Sequence, residues 1–80
     1  MNEYLATFHT HLSALLSCTA LKKSGVSARM TPVPRTLSSS CGTCVRYTAE
    51  QDHFALLDQD YECVYILSQQ EWALLHANDI

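Results

Sequence analysis

The sequence predicts one small α+β domain of the ferredoxin-like, split βαβ kind: an antiparallel sheet with helices packed on one face. Three observations predict it. Apolar residues alternate with a period of two in four short stretches, residues 4–9, 26–31, 43–48 and 61–67. Two intervening stretches, 11–24 and 49–58, instead place apolar residues at helical spacing. The resulting order is strand, helix, strand, strand, helix, strand, with a last helical pattern at 69–76. The domain therefore reads as a βαββαβ core over 4–67 and a C-terminal helical extension over 68–80.

In the first stretch Tyr4, Ala6 and Phe8 share one face and Leu5, Thr7 and His9 the other, as expected of a central strand. Thr10 follows as an N-cap, its hydroxyl suited to accept from an unpaired N–H of the first helical turn. On the helix, Ala14, Leu15, Cys18 and Leu21 fall on one face, widened by Leu12 and Leu16. Cys18 lies inside this stripe and reads as a small buried apolar residue. Lys22 and Lys23 suit the negative end of the helix dipole, and Gly25 stops the helix. Val26, Ala28 and Met30 then alternate with Ser27, Arg29 and Thr31, until Pro32 ends ladder pairing.

Residues 32–42 show neither period and form a loop that is long for so small a domain. Val45 and Tyr47 resume alternation against Cys44, Arg46 and Thr48. His53, Phe54 and Leu57 support a short second helix, with Thr48 as its cap and Glu50, Gln51 and Asp52 in its first turn. In the fourth strand Val64 and Ile66 oppose Tyr61, Cys63 and Tyr65. Ser68 caps the last helix, which turns Trp72, Ala73 and Leu75 inward.

Composition removes several classes of function. A formal charge of -3 with only five Lys and Arg leaves no broad basic surface for a phosphate backbone, so nucleic acid is not an expected partner. The longest apolar run, 12–21, is broken by Ser13, Ser17 and Thr19 and falls short of the roughly 20 apolar residues of a membrane span. Glu3 stands where a secretory signal carries positive charge, which points to the cytoplasm. In that reducing compartment Cys18, Cys41, Cys44 and Cys63 are expected as thiols, not as a disulfide framework.

The richest chemistry lies in the loop. Cys41 follows Ser38, Ser39 and Ser40 and precedes Gly42, with Arg35 and Arg46 at the two ends. A free thiol ionises near pH 8.5 and needs help to become a nucleophile at neutrality. Arginine charge, serine hydroxyls and backbone N–H groups around a glycine are the kinds of group that give it. Cys44 completes a CxxC pair and is a candidate resolving thiol, or a residue that simply packs. The strand parity puts Cys44 and Cys63 together on the uncovered side of the sheet.

Competing readings stay open. A single CxxC is short enough to arise by chance. Cys41, Cys44 and Cys63 with His9 or His11 form a conceivable zinc set, although the second CxxC of a zinc ribbon is missing. A thioredoxin motif opens a helix, whereas a strand follows here. His9 is a candidate proton shuttle beside the loop, while His53 and His76 read as surface residues without a role. No Ser-His-Asp order, carboxylate pair, Walker loop or dinucleotide fingerprint supports a hydrolase or a nucleotide enzyme.

Beyond these patterns the chain resembles the selenium/sulfur carrier-like family of small proteins. The likeness lies in Thr7-Phe8-His9-Thr10 before the first helix and Gly25 after it. It lies above all in Arg29-Met30-x-Pro32-Val33-Pro34-Arg35-x-Leu37-Ser38-x-x-Cys41-Gly42, and a closing Tyr61-Glu62-x-Val64-Tyr65 also fits. The match spans 4–67. By position it implies that Cys41 is the thiol that transfers. Cys44 stands at a variable position of the family, the second helix is shorter than in relatives, and the last helix with Trp72 falls outside the likeness.

The expectation is a carrier with little catalysis of its own. It takes sulfur or selenium onto Cys41 as a persulfide or selenosulfide and passes it between donor and acceptor proteins. Arg35 and Arg46 stabilise the anion, the serines and Gly42 shape the loop, and Cys44 releases cargo by forming a disulfide. No resident cofactor is needed, and zinc enters only under the alternative of a metal-binding or thiol-redox sensor. A third reading is an interaction module that docks through the last helix. The exposed sheet face also leaves room for a homodimer.

Overall fold

The period-two stretches become strands, and a fifth joins them. In the computed structural model, which describes residues 1–78, the strands are β1 (Asn2–Phe8), β2 (Ser27–Pro32), β3 (Thr43–Ala49), β4 (Tyr61–Ser68) and β5 (Glu71–Ala77). They form one sheet in the order β2-β3-β1-β4-β5, with every neighbouring pair antiparallel. β1 is central, as expected from its alternation. One α-helix, α1 (His11–Lys23), completes the α+β fold.

Register sorts the side chains into two faces. Tyr4 pairs with Tyr47 and Ile66, and Ala6 pairs with Val45 and Val64. Together with Phe8 and Ala49 they meet Ala14, Cys18 and Leu21 of α1 in the core. Tyr4 and Tyr47 stack with ring centroids 5.2 Å apart. The buried stripe of α1 is narrower than its leucines suggest. Leu12, Leu15 and Leu16 are exposed, while Ser13 and Ser17 are buried. The serines tolerate burial because each hydroxyl has a partner: Ser13 Oγ donates to Asp60 at 2.7 Å, and Ser17 Oγ accepts from the Asp58 N–H at 2.8 Å. Thr10 caps α1 as expected, accepting the Ser13 N–H at 3.2 Å, and Gly25 ends it with φ at +85°.

Two predicted helices are absent from the described residues. Residues 49–58 form a turn with a single 3-10 segment, Phe54–Leu56. The Asp52 carboxylate accepts the Phe54 N–H at 3.0 Å and Tyr47 Oη donates to the Asp52 carbonyl, so side chains take backbone partners that a helix would use. The 69–76 helix is replaced by β5. Gln69 and Gln70 both adopt positive φ, 51° and 69°, which makes the two-residue hairpin turn that folds β5 back on β4. The helix-like spacing of Trp72 and Leu75 comes from a bulge, since Val64 pairs with His76 and Tyr65 with Leu74, leaving Leu75 as the extra residue. His76, read as a surface residue, lies 3.0 Å from Asp52 and packs on Phe54.

The second face of the sheet is not uncovered. Leu5, Thr7 and Cys44 point away from α1, yet all three are fully buried. The loop between β2 and β3 crosses there.

Candidate functional site

The loop, residues 33–42, is tied down at several points. At its base the Val33 N–H donates to the Gly42 carbonyl at 3.1 Å, and Gly42 takes a φ of +73° that other residues rarely adopt. A tight turn follows the prolines, with the Leu37 N–H on the Pro34 carbonyl at 3.0 Å. Thr36 and Leu37 then line a cavity of about 400 Å³ with Gln70, Glu71 and Trp72, at the β4–β5 hairpin. At the other end Ser39 Oγ donates to the Phe8 carbonyl at 3.0 Å.

Ser40 makes the densest contact. Its N–H lies 3.2 and 3.3 Å from the two Glu62 carboxylate oxygens, and its Oγ donates to one of them at 2.7 Å. His9 Nδ1 stands 3.4 Å from the same carboxylate and 3.5 Å from Ser40 Oγ. Burial opposes the Glu62 charge and is the largest single influence. The hydrogen bonds from Ser40 and Ser39 and the nearby His9 outweigh it together, holding the carboxyl below its ordinary value. Sequence reasoning did not single out Glu62, although it closes the family-like Tyr61-Glu62 pattern. The missing signal is three-dimensional: Phe8 pairs with Tyr61 and Thr7 with Cys63, so Glu62 is the extra residue of a bulge. The same bulge turns Tyr61 toward Phe54, whose ring it meets edge-on at 5.0 Å, and away from the face that Cys63 shares with Tyr65.

The four cysteines are all free and differ in access. Cys18 is in the core under α1. Cys44 is fully buried, and its Sγ lies 3.7 Å from the Pro32 carbonyl. Burial, which outweighs the opposing pull of Arg46 and is aided by the neighbouring Cys41, pushes its thiol up to about 11. Cys41 is half-exposed, and its Sγ donates to the Thr43 carbonyl at 3.4 Å. Cys63 is also half-exposed, but it does not adjoin Cys44. Thr7 pairs with both and stands between them in one row across the sheet.

Arg46 forms an ion pair with Glu3 and lies with its guanidinium carbon 5.1 Å from the centre of the Trp72 ring. Arg35 is exposed in the Pro34 turn, and Ser38 is exposed beside the tethered serines. Among the described residues no three His, Cys, Asp or Glu side chains stand together as a metal-binding group, so the Cys41, Cys44, Cys63 and His9 set is not assembled. No helix among them is long and apolar enough to cross a membrane.

Residues 3–58 match the family model described as "Putative Se/S carrier protein-like", which covers more than half of the chain and includes the whole Cys41 loop. The chain belongs to this family. A relative in Escherichia coli (strain K12), "Uncharacterized protein YtiA", is 33% identical over 48 residues, covering 60% of this chain and 56% of that protein. The match thus spans little more than half of the relative's length. No solved structure matches the chain. β5 lies outside the matched residues.

Proposed function

We propose that this protein is a sulfur or selenium carrier of the cytoplasm, with Cys41 as the carrying thiol. Family membership supports the class of function. The observation that carries the choice of residue is the contrast among the thiols. Cys18 and Cys44 are shut in the interior and Cys63 lies within a strand, whereas Cys41 is half-exposed on a loop fixed at both of its neighbours.

In the transfer, the Cys41 thiolate attacks the terminal sulfur of a donor persulfide. The new S–S bond forms as the donor's S–S bond breaks, the donor thiolate leaves, and Cys41 holds the persulfide. A selenium donor gives the selenosulfide by the same exchange. An acceptor thiolate then takes the terminal atom and returns Cys41 as a thiolate, so no net oxidant is consumed. Cys44 is a poor participant at neutral pH because its buried thiol keeps its proton. Its role as a resolving thiol requires the loop to lift and admit water. Arg35, exposed near the loop, is placed to meet an incoming donor, while Arg46 serves to hold the loop's far side through Trp72.

The test is mass spectrometry after incubation with a cysteine desulfurase and cysteine, or with a protein donor carrying selenium as a selenosulfide. One added sulfur or selenium atom per chain, mapped to Cys41 and absent from Cys41→Ser, is expected. Cargo on Cys41→Ser equal to that on the unaltered chain overturns the assignment.

A further inference from the structure

We infer that Glu62 is the positioning residue for Cys41, fixing the loop so that the thiol is presented in one orientation to a protein donor. This rests on the carrier reading for its purpose, though the tether itself does not. The argument begins with the chain on either side of Cys41. Ser40 is held by three contacts to the Glu62 carboxylate, and Gly42 is held by Val33. The residue between two anchored neighbours has little backbone freedom left.

The second step is why a glutamate stands there. A regular strand would turn residue 62 to the same face as Val64, into the core under α1. The bulge opposite Thr7 and Phe8 releases it from that alternation, and bulges commonly re-aim one side chain. A carboxylate accepting a backbone N–H and a hydroxyl forms charge-assisted bonds, stronger than neutral ones. Ser39 on the Phe8 carbonyl adds a second tie from the preceding residue. The ionisable groups near Glu62 are His9 after β1, Asp60 before β4, and Cys63 and Tyr65 on β4 itself. Of these only His9 touches the carboxylate, and it also stands 3.5 Å from Ser40 Oγ, so loss of the Glu62 charge leaves Ser40 only that longer contact.

Glu62→Gln and Ser40→Ala test this with two readouts. The first is the Ser40 amide, followed by NMR against pH and by hydrogen exchange. In the unaltered chain its shift should follow an acid step below 4.5, the ordinary glutamate value, and Glu62→Gln should abolish the step and speed exchange at least tenfold. The second compares Cys41 with a small thiol reagent and with a protein persulfide donor. A positioning role predicts that the small-reagent rate stays level or rises in both variants, while transfer from the protein donor falls at least fivefold. A merely structural role would instead lower global stability and unmask the buried Cys18 and Cys44 to the small reagent as well. An unchanged Ser40 amide in Glu62→Gln overturns the tether, and unchanged donor transfer with a freed Ser40 overturns the positioning. Failure of the unaltered chain to accept cargo sinks the carrier reading instead, and leaves the amide and small-reagent results to judge Glu62.

Discussion

Cys41 and Cys44 are three residues apart, yet they differ in what they can do. The thiol that faces solvent is available to an electrophile, whereas the one beneath the loop is neutral until well above physiological pH. Iodoacetamide at pH 7.5 should therefore modify Cys41 first, by at least tenfold in rate as read from peptide mass spectrometry. Faster labelling of Cys44 would reject the assignment. Burial of the Cys44 thiol also has a consequence for stability. A group whose folded value is raised from 9.0 to about 11 contributes fully below pH 9, and its contribution disappears as pH rises toward 11. Tyr65, pushed by burial and the Cys63 hydrogen bond to about 12, acts in the same direction at higher pH. Urea denaturation should show stability falling from pH 9 to 11, and Cys44→Ala should make that fall shallower. An identical slope in the variant would show that Cys44 is not the group responsible.

The β4–β5 hairpin is the element least visible from the sequence and the simplest to test. Gln69 and Gln70 occupy left-handed backbone at a cost of roughly 1 kcal/mol per residue relative to residues that favour it. Replacing them with Asn-Gly, the pair best suited to this turn, should stabilise the protein by about 1 kcal/mol in urea denaturation. Destabilisation would argue against the hairpin and for the helix that the spacing suggested. The other elements show why some of the fold was legible. β1, α1, β2, β3 and β4 carry their own period together with their own stops, Thr10, Gly25 and Pro32, and each forms within a few residues of its expected bounds. The two misread segments carry apolar spacing that tertiary structure creates: a side-chain-capped turn puts Phe54 and Leu57, three positions apart, against the core, and a bulge shifts Leu75. Neither has a local marker, since Gln-Gln is not a turn signature. The loop was legible as a candidate site because prolines, serines, a glycine and cysteines suppress both periods at once. What lay beyond reach was its set of anchors, Glu62 and Trp72, which depend on strands far along the chain.

At the scale of the whole molecule the sheet works as a two-sided platform, with α1 packed on one face and the cysteine loop on the other. The family match ends at residue 58, so the partners that pin the loop from β4 and β5 come from beyond it. Glu62 secures the end that carries Cys41. At the opposite end Trp72 lines a cavity together with Thr36 and Leu37 and lies beneath the Arg46 guanidinium. Neither anchor belongs to the core cluster beneath α1, which is built from Tyr4, Phe8, Leu21, Val45, Tyr47 and Val64. The two layers should thus be separable. Trp72→Ala removes a half-buried aromatic surface and a cation–π contact, together about 1–2 kcal/mol. Hydrogen exchange read by mass spectrometry should then quicken across residues 34–38, while α1 and β1 keep their protection relative to the new global stability. If protection in α1 falls as steeply as in the loop, the two faces unfold as one unit and the loop is part of the core, not a layer laid upon it.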